Sequence, residues 1–99
     1  MAVYKVVDNK GKELHTSTTL HPGEIIKEEL EARSILKKNF AKQIGIQPTH
    51  LSDLLNGKRN VSAKLALILE QQLGIDAEFW LRVQMAYDLA IARKEMEMA

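Results

Sequence analysis

One short stretch of this chain gathers uncharged hydrogen-bonding side chains and then cations: Gln47, Thr49, His50 and Ser52, continued by Asp53 and Asn56 and closed by Lys58 and Arg59. Amide, hydroxyl and imidazole groups grouped at the start of a helix can donate to and accept from base edges in a DNA major groove. Lysine and arginine directly after that helix suit phosphate oxygens instead. The residue types therefore divide base reading from backbone clamping. Upstream, Lys38 adds a further cation, with Lys37 and Lys42 beside it, although a lysine on a helix is equally often just its solvated face. The candidate DNA contacts are thus Lys38, Gln47, Thr49, His50, Ser52, Asp53, Asn56, Lys58 and Arg59.

Other chemistries lack their residues. There is no cysteine, and His15, His21 and His50 stand at spacings that match no metal motif, without an HExxH pattern. No Ser-His-Asp order, paired acids or glycine-rich phosphate loop occurs, so neither an enzyme nor a bound metal or cofactor is expected.

The elements that must position these groups read as five helices. Pro22 suits a first helical position, Glu24 brings negative charge to the first turn, and Ile25, Ile26 and Leu30 share one face of a helix ending near Arg33. A second helix over 37–44 carries Phe40, Ala41 and Ile44, with Gly45 placed to end it in a left-handed conformation. The third opens at Gln47-Pro48, buries Leu51, Leu54 and Leu55, and stops at Asn56-Gly57. Ser62 caps a fourth, with Leu65, Ile68, Leu69 and Leu73 inward and Gly74 at its end. Asp76 caps the fifth, whose stripe reads Phe79, Val83, Tyr87 and Ile91 and which can run on into the charged tail. Two short helices around a glycine corner, over 37–57, describe a helix-turn-helix, in which Ala41 and Ile44 brace Leu51 and Leu54 so that the third helix can enter a major groove.

Ninety-nine residues, 45% hydrophobic and 27% charged, with aromatics at only 5%, fit a single aliphatic-cored helical domain. The expected division is an extension over 1–20, a helix-turn-helix domain over 21–92 and a charged tail over 93–99. The net charge is +1, but its distribution is uneven. Lys37, Lys38, Lys42, Lys58, Arg59 and Lys64 face only Asp53 in the middle of the chain, while Glu24, Glu28, Glu29 and Glu31 crowd around Lys27. No apolar run of signal-peptide or membrane-spanning length is present, and a cytoplasmic protein is expected.

The run Phe40-Ala41-Lys42-Gln43-Ile44-Gly45-Ile46, then Leu51-Ser52-Asp53-Leu54-Leu55-Asn56-Gly57-Lys58-Arg59, resembles the Cro/cI-type (Xre, lambda-repressor-like) core. His21-Pro22-Gly23-Glu24 and Glu78-Phe79-Trp80-Leu81, followed by Gln84 and Tyr87-Asp88-Leu89, resemble the flanking signatures of HigA-type, or VapI-like, antitoxins. The resemblance implies a mainly α, five-helix DNA-binding fold. It further implies a homodimeric antitoxin that represses its own operon at a double-stranded operator and neutralises a HigB/RelE-like mRNA endonuclease. A stand-alone Xre-type regulator without a toxin partner is the alternative. The chain departs from the pattern in three places: Leu36 stands where a small polar residue usually caps the second helix, Pro48 where related repressors often carry a base-reading side chain, and the extension over 1–20 has no counterpart in the shared core.

Before the helices, Val3, Tyr4, Val6 and Val7 have strand propensity and Asp8-Asn9-Lys10-Gly11 is turn chemistry, so a short extended or hairpin segment is expected. Its edge would seek a strand, in a second protomer or in the toxin. Val3, Tyr4 and Val6, together with Trp80, Val83 and Tyr87 on the fifth helix, are the expected dimer or partner contacts.

Overall fold

Proline at a first helical position and glycine past a last one set half of the element boundaries. The computed structural model describes residues 20–98, in the order α1 (Pro22–Ala32), α2 (Lys37–Ile44), α3 (Pro48–Leu55), α4 (Ala63–Leu73) and α5 (Ala77–Met98). There is no strand among the described residues, and the expected hairpin with Val3, Tyr4 and Val6 lies outside them. The fold is mainly α, as its periodicity requires.

Several boundaries have a local hydrogen-bonded cause. Ser62 Oγ accepts from the Leu65 N–H at 3.1 Å and starts α4. The α1 cap is less usual: His21 Nδ1 accepts from the Gly23 N–H at 2.9 Å, directly before Pro22. Leu36 gives α2 no side-chain cap. At the far end of α1 the left-handed residue is Ser34, at φ 57°, where glycine would be expected. Its N–H donates to the Glu31 carbonyl and that of Ile35 to the Leu30 carbonyl, at 3.2 and 2.8 Å. This is the Schellman arrangement built on a serine. Past α3, Gly57 at φ 78° allows the same closure, with the Lys58 N–H donating to the Asp53 carbonyl at 2.8 Å.

Ile26 and Leu30 of α1, Phe40, Ala41 and Ile44 of α2, and Leu51, Leu54 and Leu55 of α3 form one buried cluster, which α4 extends with Ala66, Leu69 and Leu73. Val61 enters from the α3–α4 loop, and Trp80 from α5 fills the centre with no exposed surface. Its indole N–H donates to the Ile75 carbonyl at 3.1 Å.

Two expectations for α5 need correction. Its buried positions are Ala77, Trp80 and Gln84, not the stripe Phe79, Val83, Tyr87 and Ile91. Phe79, Val83 and Tyr87 are half-buried on the flank and Ile91 is exposed. The apolar pattern misleads because position 84 is filled by a polar side chain whose hydrogen bonds are met inside. Trp80 also cannot be a dimer contact, since its side chain lies wholly within its own core. Beyond Gln84, α5 continues unbroken through Met98 and takes in residues 93–98 of the charged tail.

Candidate nucleic-acid interface

The outer face of α3 and the loop behind it carry the candidate residues. Gln47, Thr49, Ser52 and Asn56 are exposed, His50 and Asp53 are half-buried, and Lys58 and Arg59 are exposed in the loop. Lys38 is exposed on the first turn of α2. On the opposite face Leu51, Leu54 and Leu55 anchor α3 in the core. An eight-residue helix is too short to persist alone in water, so its presentation depends on that anchorage. Pro48 occupies the first turn and has no N–H, leaving Gln47 and Thr49 as the polar side chains at the tip.

Asp53 stands apart from the other candidates. Its Oδ2 lies 3.6 Å from Arg59 Nε, with both side chains about half exposed, so this carboxylate pairs with one of the two loop cations and, being an anion itself, is no phosphate ligand. An exposed pair of that length contributes at most about 1 kcal/mol.

Behind the loop lies a polar junction that the motif does not include. Gln84, 5% exposed, accepts from the Val61 N–H through Oε1 at 2.7 Å. Its Nε2 donates to Asn60 Oδ1 at 3.2 Å and to Asp88 Oδ1 at 3.0 Å. His21, 2% exposed, meets the Tyr87 ring edge-on with centroids 4.7 Å apart, and Gly57 passes beneath the imidazole. Burial lowers the His21 pKa below 6.5, against the opposing pull of Asp88 and Glu24 and of the Asn60 side chain and Arg59 backbone. Among the described residues its buried Nε2 has no hydrogen-bond partner. Gly23 sits against α3, where a Cβ would fall deep inside van der Waals contact with the Leu54 carbonyl oxygen.

Sequence reasoning missed the chemistry of this junction although its signal was present. His21 to Glu24, and Gln84 with Tyr87 and Asp88, stood out as flanking signatures at opposite ends of the chain. Here they meet, and they meet against the loop that carries Lys58 and Arg59.

The other polar face is acidic. A groove beside Leu55 and Asn56 is lined by Glu24, Lys27, Glu28 and Glu31 of α1. Among the described residues no helix is long and apolar enough to cross a membrane.

Comparison with known proteins agrees with this geometry. A family model described as Helix-turn-helix matches residues 26–80. Virulence-associated protein I of Dichelobacter nodosus is 34% identical over 79 residues, which cover 79% of this chain and 73% of that protein. A solved structure of a HigA-family addiction module antidote protein from Coxiella burnetii superposes with a TM-score of 0.76 at 36% identity, covering 83% of this chain and 90% of that one. The antitoxin HigA of Pseudomonas aeruginosa, solved with the higBA promoter, gives a TM-score of 0.74 at 29% identity, covering 79% of this chain and 86% of that one.

Proposed function

The chain belongs to the Xre-type helix-turn-helix family and to its HigA-type, VapI-like members, and on that premise we propose that it is an operator-binding antitoxin that represses its own toxin-antitoxin operon. The observation that carries the DNA half is the polar tip of α3, Gln47, Thr49, His50 and Ser52, held out by an apolar anchor and followed by Lys58 and Arg59. In this reading the tip contacts base edges, and Lys38, Lys58 and Arg59 contact phosphates. The promoter complex of the Pseudomonas protein supports a double-stranded operator as ligand.

The partners follow from the same reading. The toxin is a HigB/RelE-like mRNA endonuclease, and the setting is the cytoplasm. A homodimer forms through α5, where Met85, Leu89 and Ile91 are exposed beside the half-buried Val83 and Tyr87. Exposed apolar side chains on a helix that reaches past its own core favour a two-fold contact, which would match a palindromic operator with half-sites about 34 Å apart.

The test is binding of the upstream duplex across a salt series. Lys58→Ala with Arg59→Ala should weaken binding to every duplex alike and lower the salt slope by about one to two units. An unchanged slope would take both side chains off the backbone. Co-purification with the product of the neighbouring gene tests the toxin; its absence leaves a stand-alone regulator.

A further inference from the structure

A glutamine at the last buried position of a helix needs a reason. Burying a carboxamide is unfavourable unless its donors and acceptor are met. In Gln84 they are met on the α3–α4 loop and on α5 itself. The Val61 N–H can only donate, so Oε1 must face it, and this fixes the orientation of the whole amide. Nε2 is thereby turned to Asn60 Oδ1 and Asp88 Oδ1. Asn60 and Val61 directly follow Lys58 and Arg59. The loop is consequently held at both ends. At its entry the Gly57 and Lys58 N–H groups donate to the Leu54 and Asp53 carbonyls of α3, and at its exit Gln84 holds Asn60 and Val61.

We propose that Gln84, acting with Asn60, is a positioning residue for DNA binding: it clamps the exit of the α3–α4 loop to α5 so that Lys58 and Arg59 reach the phosphate backbone in register with α3. This rests on the DNA-binding reading above. A loop ordered before the encounter loses less conformational freedom on binding, which is how a side chain that never touches DNA strengthens the complex. It also joins the loop to the helix on which a second protomer would dock.

Three variants separate the contributions. Gln84→Met keeps length and volume but loses both polar ends. Gln84→Glu keeps an acceptor for Val61 but loses the donor to Asn60 and sets a second carboxylate beside Asp88. Asn60→Ala removes one partner on the exposed loop and leaves the core intact.

Each is titrated with the duplex upstream of the chain's own gene across a salt series, alone and combined with Lys58→Ala and Arg59→Ala. Gln84→Met should weaken binding about tenfold with a salt slope shallower by about one unit, and Asn60→Ala about threefold. Added to the double alanine variant, Gln84→Met should cost almost nothing more, because the cations it positions are gone. In the free protein, Gln84→Met should speed exchange of the Val61 amide hydrogen.

A wild-type chain that binds no duplex at low salt overturns the DNA reading itself. Wild-type binding matched in affinity and slope by folded Gln84→Met, or by Asn60→Ala should the former not fold, overturns the positioning role alone. Full additivity with the double alanine variant does the same, since it marks a purely structural loss.

Discussion

Between α2 and α3 every buried side chain is apolar, with Phe40, Ala41 and Ile44 in one cluster with Leu51, Leu54 and Leu55. Where the start of α1 meets α5 and the α3–α4 loop, the buried side chains include an imidazole and a carboxamide, and Gly23 brings the backbone of α1 against that of α3. Both regions hold the same short helix. The first works by area and shape, so hydrophobic substitutions of similar volume should be tolerated. The second works through particular donor and acceptor atoms that must meet at set positions, and leaves little room for exchange.

The largest effect should come from the apolar side. Leu51 is fully buried and anchors α3, so Leu51→Ala loses both its transfer free energy and the contacts around the resulting cavity. A loss of about 3 kcal/mol is expected from urea unfolding, with DNA binding lost in proportion to the unfolded fraction. A loss below about 1 kcal/mol would mean that α3 is held mainly from the polar side.

Next is the close approach at Gly23. An added Cβ meets the backbone oxygen of Leu54, which no rotamer change can move away, so Gly23→Ala must push α1 from α3. About 2 kcal/mol should be lost. Amide hydrogens in the first turn of α1 should exchange faster while those of α2 keep their protection. Uniform loss of protection would merge the two regions into one cooperative unit.

The same contrast explains what the sequence disclosed. Rules that act within a few residues placed the helices: Pro22 and Pro48 at their starts, Ser62 as a cap, Gly45, Gly57 and Gly74 past their ends. The apolar period placed the α2–α3 contact, because it needs only hydrophobic residues on facing sides. It failed on α5, where Gln84 takes a core position through bonds to residues more than 20 positions earlier. It also passed over Ala66, a small residue buried on α4. The close of α1 on Ser34 had no glycine to announce it. The candidate DNA residues were legible as a position on α3 and its loop, whereas the network behind them depends on which atoms meet across the fold.

The smallest effect, and the most specific to the polar junction, concerns His21. Its folded-state pKa lies below 6.5, first because burial penalises the imidazolium. Between that lowered value and 6.5 the unfolded chain binds more protons than the folded one, so stability must fall as pH drops through this window and level off above 6.5. The slope contributed by one proton cannot exceed about 1.4 kcal/mol per pH unit. His21→Asn keeps an acceptor for the Gly23 N–H while removing both the titration and the contact with Tyr87. At about pH 7.5 the variant should be less stable than wild type by about 1 kcal/mol, and the gap should narrow steadily toward about pH 5 as the wild type alone loses its His21 contribution. Parallel curves for the two proteins over that range would show that the junction tolerates a charged imidazole, and that its polar groups are held less tightly than the apolar contact between α2 and α3.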